Sequence, residues 1–294
     1  MLSRYDFVHP EDAAALEQLE AVPGCKLFVR KFLSVGAERL QYGMNMASSI
    51  RLSNTQLPKI YNHLPPICEK LGITEPELYL TMNPVPNAWT FGDTRIAITL
   101  TSGLVEAMTP EELDAVIAHE CGHIILHHTL YLSIAWFLAS GVGLVDALGA
   151  LSEPIKLALY HWQRKAELSA DRVSCLITSP ETTARTIARL AGGPASITHQ
   201  LNMEEWAQQA ERYEKIRTDD NWNKTLQTLA TAWLTHPFPA VRVREMLKWS
   251  DSDQYKRLSS RTTSTHTCPN CGAEITCDWK YCRFCGALLD NRNC

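Results

Sequence analysis

A mainly helical α+β fold is what this sequence predicts. Stretches with apolar residues at helical spacing dominate the chain, and two short alternating segments, Glu77 to Met82 and Arg95 to Leu100, read as strands. Five of the ten cysteines crowd residues 268 to 285, which marks a separate small unit at the C-terminal end. With 45% hydrophobic and 20% charged residues, the chain suits a water-soluble fold with a sizeable core and not a bundle of membrane spans. A net charge of -4 argues against general affinity for nucleic acid or anionic lipid.

Residues 1–57 are expected to form a helical segment packed on the core. Helical patterns run from Ala13 to Ala21 and from Phe28 to Met46, around the turn Pro23-Gly24. Met1 to Pro10 holds Arg4, Asp6 and His9 in place of an apolar leader, so a cytoplasmic protein is expected. Of the two strands, the second alternates Ile96, Ile98 and Leu100 with smaller or polar residues.

The next helix carries the chemistry. Thr109 suits an N-cap, Pro110 the first helical position, and Glu112 closes a capping box at the positive end of the dipole. Leu113, Val116, Ile117 and Ile124 form its apolar stripe. Beside them, His119-Glu120-Cys121-Gly122-His123 is an H-E-x-x-H pattern. Residues four apart share a helix face, so His119 and His123 can grip one metal ion while Glu120 takes a proton from water. Gly122 costs a helix about 1 kcal/mol relative to Ala, so its place suggests close approach of a neighbour.

A third ligand is needed, and three readings compete. A His six residues after the second is excluded, because Thr129 stands there. His127 and His128 are nearer, and are expected along the helix as polar or substrate-facing groups. The third reading uses a helix at 155–177 with Glu167 and Asp171 on one face. Glu167 can bind the metal while Asp171 accepts a hydrogen bond from a ligand histidine. Leu168, Ala170, Val173 and Leu176 argue that this acidic pair is buried and needs a cation.

Taken with the motifs around them, these residues make residues 9 to 249 resemble the gluzincin metallopeptidases of the CaaX-prenyl-protease and HtpX type. The motifs are Tyr79 with Asn87-Ala88-Trp89, Thr101-Ser102-Gly103-Leu104, Glu112-Leu113 ahead of His119, Glu167-x-x-Ala170-Asp171, and His236-Pro237 with Arg242. The resemblance implies a metallopeptidase domain at 58–249 with a small sheet. It implies His119, His123 and Glu167 as ligands of a catalytic Zn2+ and Glu120 as general base. By the same resemblance His236 stabilises the oxyanion, Arg242 pairs with buried acids, and Asn87, Ala88 and Trp89 lie on an edge strand that takes substrate by strand addition.

Ile124 to Val145 contains no Asp, Glu, Lys or Arg. A single crossing would put His123 and Glu167 on opposite sides of about 30 Å of hydrocarbon, and the returning stretch holds Asp146, Glu153, Pro154 and Lys156. A buried helix covering the active-site helix is expected instead, with contact to a membrane surface as the most the stretch allows. Further helices are expected at 180–191, 203–234 and 239–249. No repeat, Walker pattern or dinucleotide loop stands out.

Residues 250–267, rich in Ser, Thr and charge, read as a flexible linker. Cys268-x-x-Cys271-Gly and Cys282-x-x-Cys285-Gly are two knuckles that would hold one structural zinc, making 268–294 a zinc ribbon. Its balanced charges favour a protein partner over nucleic acid. Cys25 and Cys121 read as packing residues. The expected function is a zinc endopeptidase acting on proteins or peptides, with protein quality control implied by the resemblance. The alternative is a latent or non-catalytic adaptor whose ribbon binds a partner.

Overall fold

The computed structural model describes residues 2–34, 36–140, 152–218, 239–263, 265–272 and 274–276, with Cys285 and Ala287. After a 3-10 turn at Arg4–Asp6, the N-terminal segment forms α1 (Pro10–Ala21), α2 (Cys25–Ser34) and α3 (Ala37–Ser48). The pattern from Phe28 to Met46 is thus two helices. Gly36 stands between them at φ +72°, a conformation that a residue without a Cβ adopts readily.

Next come β1 (Ile50–Arg51), α4 (Pro58–Tyr61), α5 (Leu64–Leu71), β2 (Glu77–Thr81), β3 (Ala88–Phe91) and β4 (Ala97–Thr101). The strands pair in the order β1-β2-β4-β3, with β2 and β4 parallel and the other pairs antiparallel. β4 is buried along its whole length, and β3, with Asn87 just before it, is an edge strand. One side of β3 therefore keeps backbone donors and acceptors to offer an extended chain.

After α6 (Ser102–Ala107), α7 (Pro110–Ile125) begins with the capping box: Thr109 N–H donates to Glu112 Oε2 at 2.9 Å, and Glu112 N–H donates to Thr109 Oγ1 at 3.3 Å. Buried Glu112 is also paired with Arg189 at 3.0 Å, which compensates its charge. α7 packs along α9 (Ser152–Ile177), and Gly122 lies directly against Ala170 and Val173 of α9. A Cβ there would sit 3.1 Å from Val173 Cβ and 3.2 Å from Ala170 Cα. Gly122→Val is therefore expected to lower stability by about 1–3 kcal/mol despite the removal of a helical glycine, read by urea unfolding. Unchanged stability would contradict this packing.

α7 stops at Ile125, His127 takes φ +60°, and the chain bends by 109° into α8 (Thr129–Ser140), which packs on β3 and α9. The stretch expected as one buried helix from Ile124 is therefore broken, and its part beyond 140 lies outside the described residues. Among the described residues no single helix is long and apolar enough to cross a membrane.

α10 (Pro180–Gly192), α11 (Ala195–Thr198), α12 (Met203–Thr218), α13 (Pro239–Ser250) and α14 (Asp253–Thr263) follow. The expected continuation of α12 from 219 to 234 lies outside the described residues. The stretch read as a flexible linker contains α14 instead. Leu258 is buried, Tyr255 packs edge-on against Trp249 with ring centroids 5.2 Å apart, and Gln254 donates to Asp6 O, so three side chains fix a helix whose composition resembles a tether. Strands β5 (Thr265–Thr267) and β6 (Glu274–Thr276) pair antiparallel.

Among the described residues, two clusters of buried apolar side chains stand out. One gathers β2, β4, α5, α7, the end of α9, α10 and α13; the other gathers α1, α2, α8, Phe91 of β3 and the start of α9. α9 gives Ala166 to the second and Val173 to the first, so Glu167 and Asp171 lie where the clusters meet.

Candidate active site and metal centres

α7 and α9 present His119, His123 and Glu167 to one point. His119 Nε2 lies 3.4 Å from Glu167 Oε2, and His123 Nε2 lies 3.4 Å from Glu167 Oε1. With zinc bonds of about 2.0–2.1 Å, neighbouring ligand atoms in a tetrahedron stand about 3.4 Å apart. Ligand atoms from all three residues fall within 4.8 Å of one another. Two imidazoles and one carboxylate with room for a fourth ligand are the donor set of a catalytic zinc site, and they fit that ion.

Asp171, one turn beyond Glu167, receives His119 Nδ1 at 3.1 Å. It is also gripped by Arg242 of α13, whose Nε and Nη2 donate at 2.8 and 2.5 Å while Nη1 lies 3.1 Å from Glu167. Burial alone would raise the Asp171 carboxyl, but Arg242 and His119 outweigh it and hold the group below the usual carboxylate range. Burial disfavours a charged His119 as well, yet the carboxylates of Glu167 and Asp171 push it up to about 10. Low-dielectric surroundings with two carboxylates attract positive charge, as a cation site must.

Glu120 faces the same space. Thr90 of β3 donates its hydroxyl to Glu120 Oε2 at 2.6 Å, fixing the carboxylate against the edge strand. Two clefts flank this point. One runs between β3 and α10 past Leu104, Val116 and Ile187; the other runs under α8 past Trp89, Leu132 and Trp136. Both are lined by Asn87, Ala88, Glu120 and Glu167.

The profile of Peptidase family M48 matches residues 53–250, two thirds of the chain. The chain belongs to peptidase family M48. This M48 peptidase is a zinc-dependent metalloprotease, a hydrolase whose substrates are proteins. It is 34% identical over 267 residues to a plastoglobule-localized metallopeptidase 48 of Arabidopsis thaliana chloroplasts, covering 89% of this chain and 77% of that protein. It is also similar to Protease HtpX homologs. The match is 33% over 103 residues in Tropheryma whipplei, 34% of this chain and 35% of that protein. In Acidiphilium cryptum it is 31% over 123 residues, 41% of each. No solved structure matches the chain.

The structure brings together His119, Glu120, His123, Glu167, Asp171 and Arg242, and sets Asn87, Ala88 and Trp89 along the clefts. His236 lies outside the described residues. His127 and His128 do not continue the helix as expected, because α7 has already ended and the left-handed turn carries His128 inward. There His128 Nε2 lies 3.1 Å from Asp12, and its Nδ1 lies 3.1 Å from His123 Nδ1. Burial draws the His128 pKa down despite Asp12. Sequence reasoning missed Asp12, Thr90 and this placement of His128. The one local signal was the hydroxyl of Thr90, which directly follows the Asn87-Ala88-Trp89 motif.

At the C-terminal unit, Cys268, Cys271 and Cys285 bring their sulfurs within 4.8 Å of one another, with Cys268 and Cys285 Sγ 3.7 Å apart. Gly272 N–H donates to Cys268 O at 2.8 Å and adopts φ +72°, closing the knuckle. Three thiols so placed suit a tetrahedral metal. Cys282 lies outside the described residues. Cys25 and Cys121 are buried in the apolar clusters, as packing residues would be.

Proposed function

We propose that this metalloprotease is an endopeptidase in which His119, His123 and Glu167 hold the catalytic zinc and Glu120 is the general base. The observation that carries this reading is the convergence of both imidazole Nε2 atoms on Glu167, next to a carboxylate fixed by Thr90. Zinc bound here supplies a Lewis acid that polarises the scissile carbonyl and acidifies water. Glu120 takes a proton from the attacking water and passes it to the leaving amine. Asp171 holds the Nδ1 proton of His119, so that Nε2 is free to bind the metal. Arg242 keeps Asp171 ionised and in place. His236 is assigned from the sequence to the oxyanion.

Substrate lies along β3, extended, with backbone hydrogen bonds giving affinity and the two flanking clefts receiving side chains. Strand addition admits only segments free to become extended, so unfolded or loosely folded proteins are the proposed substrates and quality control the proposed task. Cys268, Cys271, Cys282 and Cys285 are proposed to hold a second, structural zinc in a ribbon that docks a protein partner.

The test is digestion of a denatured, reduced protein, with the new termini read by mass spectrometry. Internal cleavage that stops on chelation and returns with zinc alone is expected. Release of terminal residues only, or cleavage indifferent to chelation, would contradict the reading.

A further inference from the structure

His119 has a carboxylate on its second nitrogen, whereas His123 has an imidazole. His123 Nδ1 lies 3.1 Å from His128 Nδ1, and His128 Nε2 lies 3.1 Å from Asp12 Oδ2. We propose that Asp12 and His128 are positioning residues for His123, so that the N-terminal helix α1 is a working part of the zinc site. The proposal rests on His123 being a ligand, as read above.

Proton placement follows from the donors and acceptors. Ionised Asp12 can only accept, so His128 presents N–H at Nε2 and an acceptor at Nδ1. His123 must then carry its proton on Nδ1, which leaves its Nε2 lone pair facing Glu167. One carboxylate thus sets two tautomers in series, and the second is the one a metal needs.

Three further observations show that this chain of contacts is held firmly. Asp12 also accepts from Trp162 Nε1 at 3.0 Å and from Ser169 Oγ at 2.6 Å. Ser169 lies on α9, two residues past Glu167, and its Oγ receives His9 N–H at 2.9 Å, so the network ties α1 to the helix bearing the third ligand. Asp12 and His128 are 2% and 3% exposed, which shields both contacts from water. To place His128 here, the backbone adopts φ +60° at His127 and His128 N–H returns to His123 O at 2.9 Å. A left-handed non-glycine residue persists only where its surroundings over-determine it. The family match begins at residue 53, so Asp12 is contributed from outside it.

The decisive variant is Asp12→Asn. Its carbonyl oxygen can still accept from Trp162, while its amide turns a donor toward His128. His128 must then donate from Nδ1, and the proton on His123 is driven to Nε2, the metal-facing atom. The measurement is zinc affinity by chelator competition, with the visible spectrum of the cobalt(II) form. The full-length chain would carry Cys268→Ser and Cys271→Ser so that the catalytic metal alone is read.

Asp12→Asn is expected to weaken zinc binding roughly 10- to 100-fold and to shift the cobalt spectrum. Glu11→Gln, which removes an exposed ion pair between α1 and Lys165 of α9 without touching Asp12, should keep the parent's affinity and spectrum. The metal-free Tm of both variants reports any purely structural loss. Should Asp12→Asn fail to fold, His128→Phe keeps the ring packed 5.3 Å from Trp162 and must show the same loss of affinity. Parental affinity and spectrum in a folded Asp12→Asn, or in His128→Phe, would overturn the proposal. His123→Ala separates the two readings. If it keeps tight zinc, the ligand assignment fails; if it loses zinc while Asp12→Asn does not, only the positioning role fails.

Discussion

Glu120→Gln is expected to bind zinc as the parent does and to lose about 10²–10⁴-fold in peptide hydrolysis. The substitution is well conditioned by the site. Gln keeps a carbonyl oxygen that can accept the Thr90 hydroxyl, which in the parent reaches Glu120 Oε2 at 2.6 Å, so the side chain stays where it is. Glu120 is not among the three convergent donors, so the metal should remain. What disappears is the ability to accept a proton. Single-turnover cleavage with a zinc count on the same sample checks both halves. A variant that keeps zinc and still cleaves near the parent rate would remove Glu120 from the chemistry. One that loses zinc would make it a ligand.

Arg242→Leu is expected to cost about 3–5 kcal/mol in the metal-free protein, because it strips the cation from two buried carboxylates. Asp171 and Glu167 are each 2% or less exposed, and Arg242 reaches both. Zinc loading should recover part of the loss, since the ion neutralises Glu167 but leaves Asp171 with His119 alone. Arg242→Lys should fall between, as it restores charge without the two-pronged grip on Asp171. Urea unfolding of each protein with and without zinc reads the effect. Equal stability of the Arg242→Leu variant and the parent when both are metal-free would mean that the acids are compensated by another route.

The convergence of His119, His123, Glu167 and Asp171 was legible because its signals are local. A capping box at Thr109, two histidines four apart and two acids four apart are fixed by helix geometry once the helices form. The cysteine knuckles are local in the same way. Asp12 was not legible, because nothing in α1 announces that its carboxylate will meet a histidine from the turn after α7. His128 was misplaced because α7 ends at Ile125 through a left-handed His127, with neither Gly nor Pro there to signal a stop. The linker reading failed for a related reason. Ser and Thr content spoke for a tether, while Tyr255 and Leu258, three apart, supply one apolar helix face that the core accepts.

Counting zinc by elemental analysis on three full-length proteins tests the central claim most directly: the parent, His119→Ala/His123→Ala and Cys268→Ser/Cys285→Ser. Two zinc ions per parent chain are expected, with one lost in each double variant and cleavage lost in the histidine variant. A histidine variant that keeps every zinc ion of the parent would place the catalytic metal elsewhere and contradict the account.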